Sequence, residues 1–236
     1  MSSTNVETVD VVIIGAGFSG MYAIHRLRNY KVVCLEAGDG VGGTWYWNRY
    51  PGARVDIQSV EYSYGFDEDL QQEWSWPEYF SAQPDLERYA NHVADRFNLR
   101  EHIRFSNPVT RMKFNEAENL WHVYTATGGH FACRHVIAAT GSLTAPNLPP
   151  WPGREQFKGE IYHTARWPAE GVDFSGKRVG FIGTGSTGIQ AMPIIAEQAD
   201  ELYVFQRTPA YCMPSGNRPL DEAHERDWKD NYPQRR

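Results

Sequence analysis

One glycine spacing occurs twice in this chain, as Gly15-Ala16-Gly17-Phe18-Ser19-Gly20 and as Gly183-Thr184-Gly185-Ser186-Thr187-Gly188. Before each lies a short apolar run, Asp10 to Ile14 and Lys177 to Ile182, of the kind that forms a parallel strand buried on both faces. After each come a helical stretch, Met21 to Arg28 and Gly188 to about Ala199, and a second strand, Lys31 to Leu35 and Glu201 to Gln206. Glycines at this spacing permit a tight strand-to-helix turn and close backbone approach to a pyrophosphate, which rests on amide N–H groups at the helix N-terminus. The chain is therefore expected to be α/β, with two Rossmann-like dinucleotide-binding units that repeat one plan.

The two units part at the end of their second strand. The first closes on Glu36, 21 positions after Gly15, where a carboxylate accepts hydrogen bonds from a ribose diol and repels a 2′-phosphate. That suits FAD or NAD. The second closes on Gln206-Arg207-Thr208, with no acid. A guanidinium pairs with a 2′-phosphate through a charge-assisted bond worth roughly 1.5–3 kcal/mol. The second unit therefore suits NADP(H), with Arg207 as a solvated strand-end cation the plainer alternative. A flavin site and an NADPH site on one chain make hydride transfer from nicotinamide to flavin the minimal reaction.

The rest of the chain fills in around these units. Residues 38–83 carry few regular signals but many Gly, Trp and Tyr residues, which reads as a binding wall. Pro84 opens a helix with Leu86, Tyr89, Val93 and Phe97 at helical spacing. Strands follow over Ile103–Phe105, Val109–Phe114, Leu120–Thr127 and Phe131–Thr140, the last two joined by a Gly128-Gly129 hairpin turn. The expected fold is a three-layer arrangement on a parallel sheet with a β-meander in the first unit. The Pro-rich connector from Ala145 to Gly153 sets the boundary between a first domain, 1–144, and a second, 145–236. Leu220 to Arg236 is charge-rich and shows no closing element.

Composition excludes several classes. A net charge of −6 over 236 residues argues against nucleic acid. No apolar run approaches the ~18 residues of a membrane helix, and the N-terminus lacks the order of a signal peptide. Cys34, Cys133 and Cys212 are odd in number and far apart, which fits a reducing cytoplasm and a packing role. They form no dithiol redox pair and no metal-ligand spacing is read.

Two further segments carry a resemblance. Gly42-Gly43-Thr44-Trp45-Tyr46-Trp47-Asn48-Arg49-Tyr50-Pro51-Gly52-Ala53-Arg54-Val55-Asp56 resembles the flavin-loop signature of type I Baeyer–Villiger monooxygenases. The twelve residues from Phe157 to Pro168 match that family's FxGxxxHxxxWP pattern at Phe157, Gly159, His163, Trp167 and Pro168. With both glycine turns in order, the resemblance spans about residues 9–220. It implies that Ser19, Glu36, Thr44, Trp45, Tyr46, Trp47, Asp56 and Tyr62 line FAD together with the first turn, with Val109 near its adenine end. It further implies that Arg54, Val55 and Asp56 form a loop shared by flavin and nicotinamide. Thr184 to Gln190 would cradle the NADP pyrophosphate, Arg207 and Thr208 would hold its 2′-phosphate, and His163 would couple movement of the two domains.

The activity so implied uses NADPH, FAD and O2 to insert one oxygen beside a ketone carbonyl, giving an ester or lactone. Asp56 would be the catalytic residue, holding an arginine supplied by a later loop. That arginine has no counterpart identified in this sequence, so a C-terminally incomplete fold is expected, resembling the N-terminal portion of such an enzyme. Either the sequence is part of a longer protein or it is a truncated product, and in the second case weak or absent flavin retention and no oxygenation are expected. The alternatives are an N- or S-oxygenating flavin monooxygenase and a non-catalytic dinucleotide-binding fragment. Among single residues, Trp45, Trp47 and Tyr50 also read as core aromatics, and Asp56 as a turn or N-cap residue. His163 and Trp167, four apart, also read as a packed pair on one helix face.

Overall fold

The computed structural model describes residues 6–143 and 145–235. In chain order, the first elements are β1 (Glu7–Ile14), α1 (Phe18–Leu27), β2 (Val32–Leu35), α2 (Thr44–Trp47), α3 (Glu68–Glu73) and α4 (Gln83–Arg96). Next come β3 (Ile103–Arg104), β4 (Val109–Asn115), β5 (Leu120–Thr125) and β6 (His130–Ala138), then β7 (Arg178–Ile182), α5 (Ser186–Gln198), β8 (Glu201–Phe205) and α6 (Glu222–Arg235). The chain divides into two compact units: one takes the described residues up to Trp47 and those of Glu87–Pro146, the other Asn48–Leu86 and the chain from Asn147 onward. Segment 48–86, which precedes β3 in sequence, thus belongs with the second glycine turn.

In the first unit the described residues form a six-stranded sheet in the order β3-β2-β1-β6-β5-β4. β1 pairs parallel with β2 (Val11 with Val32) and with β6 (Val11 with His135). β6, β5 and β4 run antiparallel to one another as a meander. β2 is buried at all four positions, the pattern of a strand covered on both faces. Val9, Val12, Val33, Leu35, Val123, Phe131 and Cys133 make one core cluster, each such side chain contributing about 1.5–3 kcal/mol on full burial. Met21 and Ile24 of α1 are fully buried, as the helical spacing predicts. Tyr89 and Val93 of α4 are buried as well, as is Leu86, which falls in the other unit, while Phe97 lies just past the helix end, edge-on to His25 at 4.9 Å.

In the second unit β7 and β8 pair parallel, with Arg178 opposite Glu201 and Ile182 opposite Phe205. Phe174, Ala191 and Ile195 form its core, joined by half-buried Tyr50, Trp167, Val179 and Phe181. Two helices lie where the sequence showed no regular signal. α3 is capped by Asp67, whose carboxylate accepts from Leu70 N at 2.8 Å, with Glu68 and Asp69 in the favourable first turn. α6 corrects the expectation that residues 220–236 lack a closing element. Asp221 accepts from His224 N at 2.7 Å, and Trp228 and Tyr232, four apart, are its buried stripe. Asn231 is non-helical and Pro233 follows it, so the helix is kinked there. Among the described residues no helix is long and apolar enough to cross a membrane.

Candidate functional site

The two glycine turns are built alike. Gly15 has φ +100° and Gly183 φ +105°, the left-handed region that favours glycine. Gly15 N donates to Leu35 O at 2.9 Å, and Gly183 N to Phe205 O at 2.9 Å, so each turn is sewn to the end of its second strand. Gly17 and Gly185 take nearly the same conformation (φ −74°, ψ −173° and φ −75°, ψ −176°) at the N-caps of α1 and α5. A Cβ on Gly20 would lie 1.9 Å from Gly15 O, and one on Gly188 2.6 Å from Gly183 O. The third glycine of each turn is therefore what lets helix and strand close up. Neither helix has a side-chain cap or an acidic residue in its first turn. Both N-termini consequently present amide donors and the positive end of the helix dipole, the chemistry a pyrophosphate requires.

Around the first turn the structure gathers most of the residues expected there. Glu36 is only 4% exposed, accepting from Ala16 N at 2.6 Å and Gly38 N at 2.8 Å. A carboxylate has about four lone-pair sites, so two such bonds leave acceptor capacity for a ribose diol. Gly42 N donates to Ala16 O at 3.1 Å, and a Cβ on Gly43 would lie 2.8 Å from Gly17 Cα. The start of the aromatic signature is thus folded onto the turn, with Thr44 exposed and Trp45 buried in α2. Tyr46 donates to Asp39 Oδ1 at 2.5 Å and meets Trp47 edge-on at 4.8 Å. Its ring fills the space over Gly38 and Gly40. Ser19 is exposed in the first turn of α1. Asn107 N donates to Glu36 O at 2.8 Å, which brings the start of β4, with half-buried Val109, to the same strand end. Burial, with the Glu36 carboxylate adding to it, pushes the Cys34 thiol far above its ordinary value, and Cys133 is raised by burial too. Both are inert packing groups.

Arg54, Val55, Asp56 and Tyr62 belong to the second unit, so the residues expected at FAD are divided between the two units. Val55 is buried and its N donates to Ser81 O at 3.1 Å, while Asp56 is exposed on a bend. Tyr62 N donates to Ser59 O at 3.0 Å within a tight turn. Arg54 Nη1 lies 3.3 Å from Glu78 Oε2, and the same oxygen accepts from Asn217 Nδ2 at 2.8 Å. Neither Glu78 nor Asn217 stands in a motif. Their pairing depends on Phe80 N donating to Asn217 Oδ1 at 3.0 Å and on Tyr79 N donating to Arg218 O, contacts between segments far apart in sequence.

At the second turn Thr184 and Thr187 are half-buried, Ser186 is exposed and Gly188 is buried. Gln190, also expected at the pyrophosphate, turns its side chain onto residues 50–54. Its Oε1 accepts from Tyr50 Oη at 2.9 Å, and its Nε2 donates to Arg54 O at 3.2 Å. Burial raises the Tyr50 hydroxyl, with the Thr187 hydroxyl opposing that shift and Asp56 adding to it. Arg207 and Thr208 are exposed just past β8. Arg207 follows Phe205, which holds Gly183, by two residues, as Glu36 follows Leu35 by one.

The stretch 157–168 is not an α-helix, so His163 and Trp167 do not share a helix face. His163 Nδ1 accepts from Ala165 N at 3.1 Å and caps a 3-10 turn, Thr164–Arg166, that ends at Trp167. Trp167 packs toward Tyr162 (5.8 Å) and Phe174 (6.1 Å) and joins the core beside α5. Phe157 is exposed, with its ring over Gly159.

The comparisons agree with this geometry. The flavin-binding monooxygenase-like family model matches residues 8–221. An acetone monooxygenase (methyl acetate-forming) of Gordonia sp. (strain TY-5) is 47% identical over 92% of this chain and 40% of its own length. A phenazine N-monooxygenase of Lysobacter antibioticus is 41% identical over 94% of this chain and 41% of its own. Among solved structures, an oxidized steroid monooxygenase bound to NADP has a TM-score of 0.92 and 52% identity, over 97% of this chain and 44% of that one. The chain thus spans about two fifths of the length of the relatives it matches. It belongs to the flavin-binding monooxygenase-like family.

Proposed function

We propose that this chain forms the nucleotide-binding portion of an FAD- and NADPH-dependent Baeyer–Villiger monooxygenase. Reduced flavin supplies the activation of O2 that ketone oxygenation needs. The observation that carries the reading is the duplication of one uncapped glycine turn, with a buried carboxylate at the strand end in one unit and an exposed arginine in the other. In this reading, residues 1–144 supply most of the flavin site and 145–236 the NADP site. Glu36 orients the adenosine ribose through its free lone pairs. Gly17 and Ser19 offer α1 amides to the flavin pyrophosphate, and Gly185 and Ser186 do the same on α5 for NADP. Arg207 and Thr208 take the 2′-phosphate. Asp56, exposed on its loop, would orient a cation next to the reacting centre, and Arg54, two residues before it, is paired with Glu78.

The substrates are a ketone and O2, and the free cysteines suit a reducing cytoplasm. Support for the ketone comes from the relative whose name gives acetone as substrate and methyl acetate as product. A second reading, N-oxygenation, is favoured by the 41% identity to a phenazine N-monooxygenase. Incubation of the full-length, flavin-loaded protein with NADPH and a panel of ketones, amines and sulfides separates them. Ester or lactone formation coupled to NADPH consumption is expected. N- or S-oxides without ester would replace the first reading by the second, and protein that binds nucleotide but oxidises no NADPH would remove both.

A further inference from the structure

Within the second unit, one side chain of the glycine-turn helix grips the loop that carries Arg54 and Asp56. Gln190 lies two residues past Gly188 on α5. Its Oε1 accepts from Tyr50 Oη (2.9 Å) and from Arg54 N (3.4 Å), and its Nε2 donates to Arg54 O (3.2 Å). Both ends of the amide are thus committed to residues 50–54. The backbone touches as well: Gly52, at φ +77°, lies so close that a Cβ there would sit 2.2 Å from Gln190 O. The loop's other side is fastened to 78–83, by Val55 N to Ser81 O, Gln83 N to Ala53 O and Arg54 Nη1 to Glu78. The loop is therefore a stiff span between α5 and segment 78–83, and Gln190 is its anchor on the nucleotide-binding helix.

We propose that Gln190 is a positioning residue: it sets the register of the Arg54–Asp56 loop against the second glycine turn, so that a nicotinamide nucleotide seated on that turn orders the loop without Gln190 touching the nucleotide. The inference rests on the reading of the second unit as an NADP site. It has a direct physical basis, because an amide that accepts twice and donates once fixes a backbone in place, and a misplacement of about 1 Å near reacting groups costs roughly 100-fold in rate.

The test is Gln190→Met, of similar length without polar atoms, in the full-length, flavin-loaded protein. Hydrogen exchange at residues 50–56 and at 183–188 is followed with and without NADP+, alongside NADP+ affinity by calorimetry and the rate of flavin reduction at saturating NADPH. In the parent protein NADP+ is expected to slow exchange in both segments. In Gln190→Met it slows 183–188 alone, NADP+ affinity stays within about threefold, and the reduction rate falls roughly tenfold or more. Tyr50→Phe, which removes one bond to Gln190, is expected to give a smaller loss, and the double variant to be no worse than Gln190→Met. Should Gln190→Met not accumulate folded, Tyr50→Phe and Gln190→Glu carry the same comparison. Loss of NADP+ affinity matching the loss of rate would make Gln190 a nucleotide ligand and overturn the proposal, as would unchanged loop protection. A parent protein whose turn is not protected by NADP+ at all would instead overturn the functional reading beneath it.

Discussion

At the scale of single residues, the proposed identity of each nucleotide rests on one side chain per unit, and the two are held very differently. Glu36 is buried and tied to two backbone amides, so its geometry is set by the fold before any ligand arrives. Arg207 is exposed and long, and the contribution proposed for it is that of a charge. Replacing it with Ala is expected to lower kcat/KM for NADPH by about 10- to 100-fold, the range of a lost charge-assisted bond of ~1.5–3 kcal/mol. NADH kinetics are expected to change little, and steady-state assays with the two nucleotides check this. An equal loss with both would mean that Arg207 does not read the 2′-phosphate. The places of Glu36 and Arg207 were legible in the sequence because each closes an apolar strand at a set distance from a glycine turn. The roles of Glu78, Asn217 and the Gln190 side chain were not, since their partners lie 24 to 140 positions away.

At the scale of elements, the strand–turn–helix units were readable because short apolar runs and glycine spacing are local signals, and the observed β1, α1, β7 and α5 lie within a few residues of those expected. α3 and α6 were not. Their caps, Asp67 and Asp221, were present in the sequence, but each helix buries only two residues. A stripe that sparse does not rise above a charged background. The turn geometry leads to a graded prediction. Gly20→Ala places a methyl 1.9 Å from Gly15 O and Gly188→Ala one at 2.6 Å from Gly183 O. Both overpack backbone that cannot swing aside. Losses of about 1–3 kcal/mol or more are expected, larger for Gly20→Ala, as read from urea unfolding of each variant. A reversed order would show that α5 is the less able of the two helices to yield.

At the scale of the whole molecule, distant segments are clasped inside the second unit. Tyr79 Oη donates to Asp221 Oδ2 at 2.6 Å, joining residues 142 positions apart, and the Arg218 guanidinium covers the Tyr79 ring at 3.9 Å. The Tyr79 hydroxyl, followed by the His224 amide, holds the Asp221 carboxyl below its ordinary value. A depressed folded-state value means the clasp stabilises above the unfolded value of about 4 and is lost as pH falls through the lowered one. Asp221→Asn is therefore expected to destabilise most near neutrality, with the difference from the parent shrinking toward zero in acid below about pH 4. Denaturant titrations of both proteins across that range check it. A difference that grows in acid would mean that the carboxylate is not the group being stabilised.

The sequence by itself determined the α/β class, the two glycine turns, their different strand-end residues and the family these imply, because each is encoded within about 30 contiguous residues. Only the tertiary structure decided that segment 48–86 packs with the second unit, that the flavin signature divides between units at Trp47 and Asn48, and that Gln190 faces a loop. Those outcomes depend on pairings such as Arg54 with Ala82 and Glu78 with Pro219, between backbone groups far apart along the chain whose donors and acceptors need partners once buried. No spacing along the chain records them.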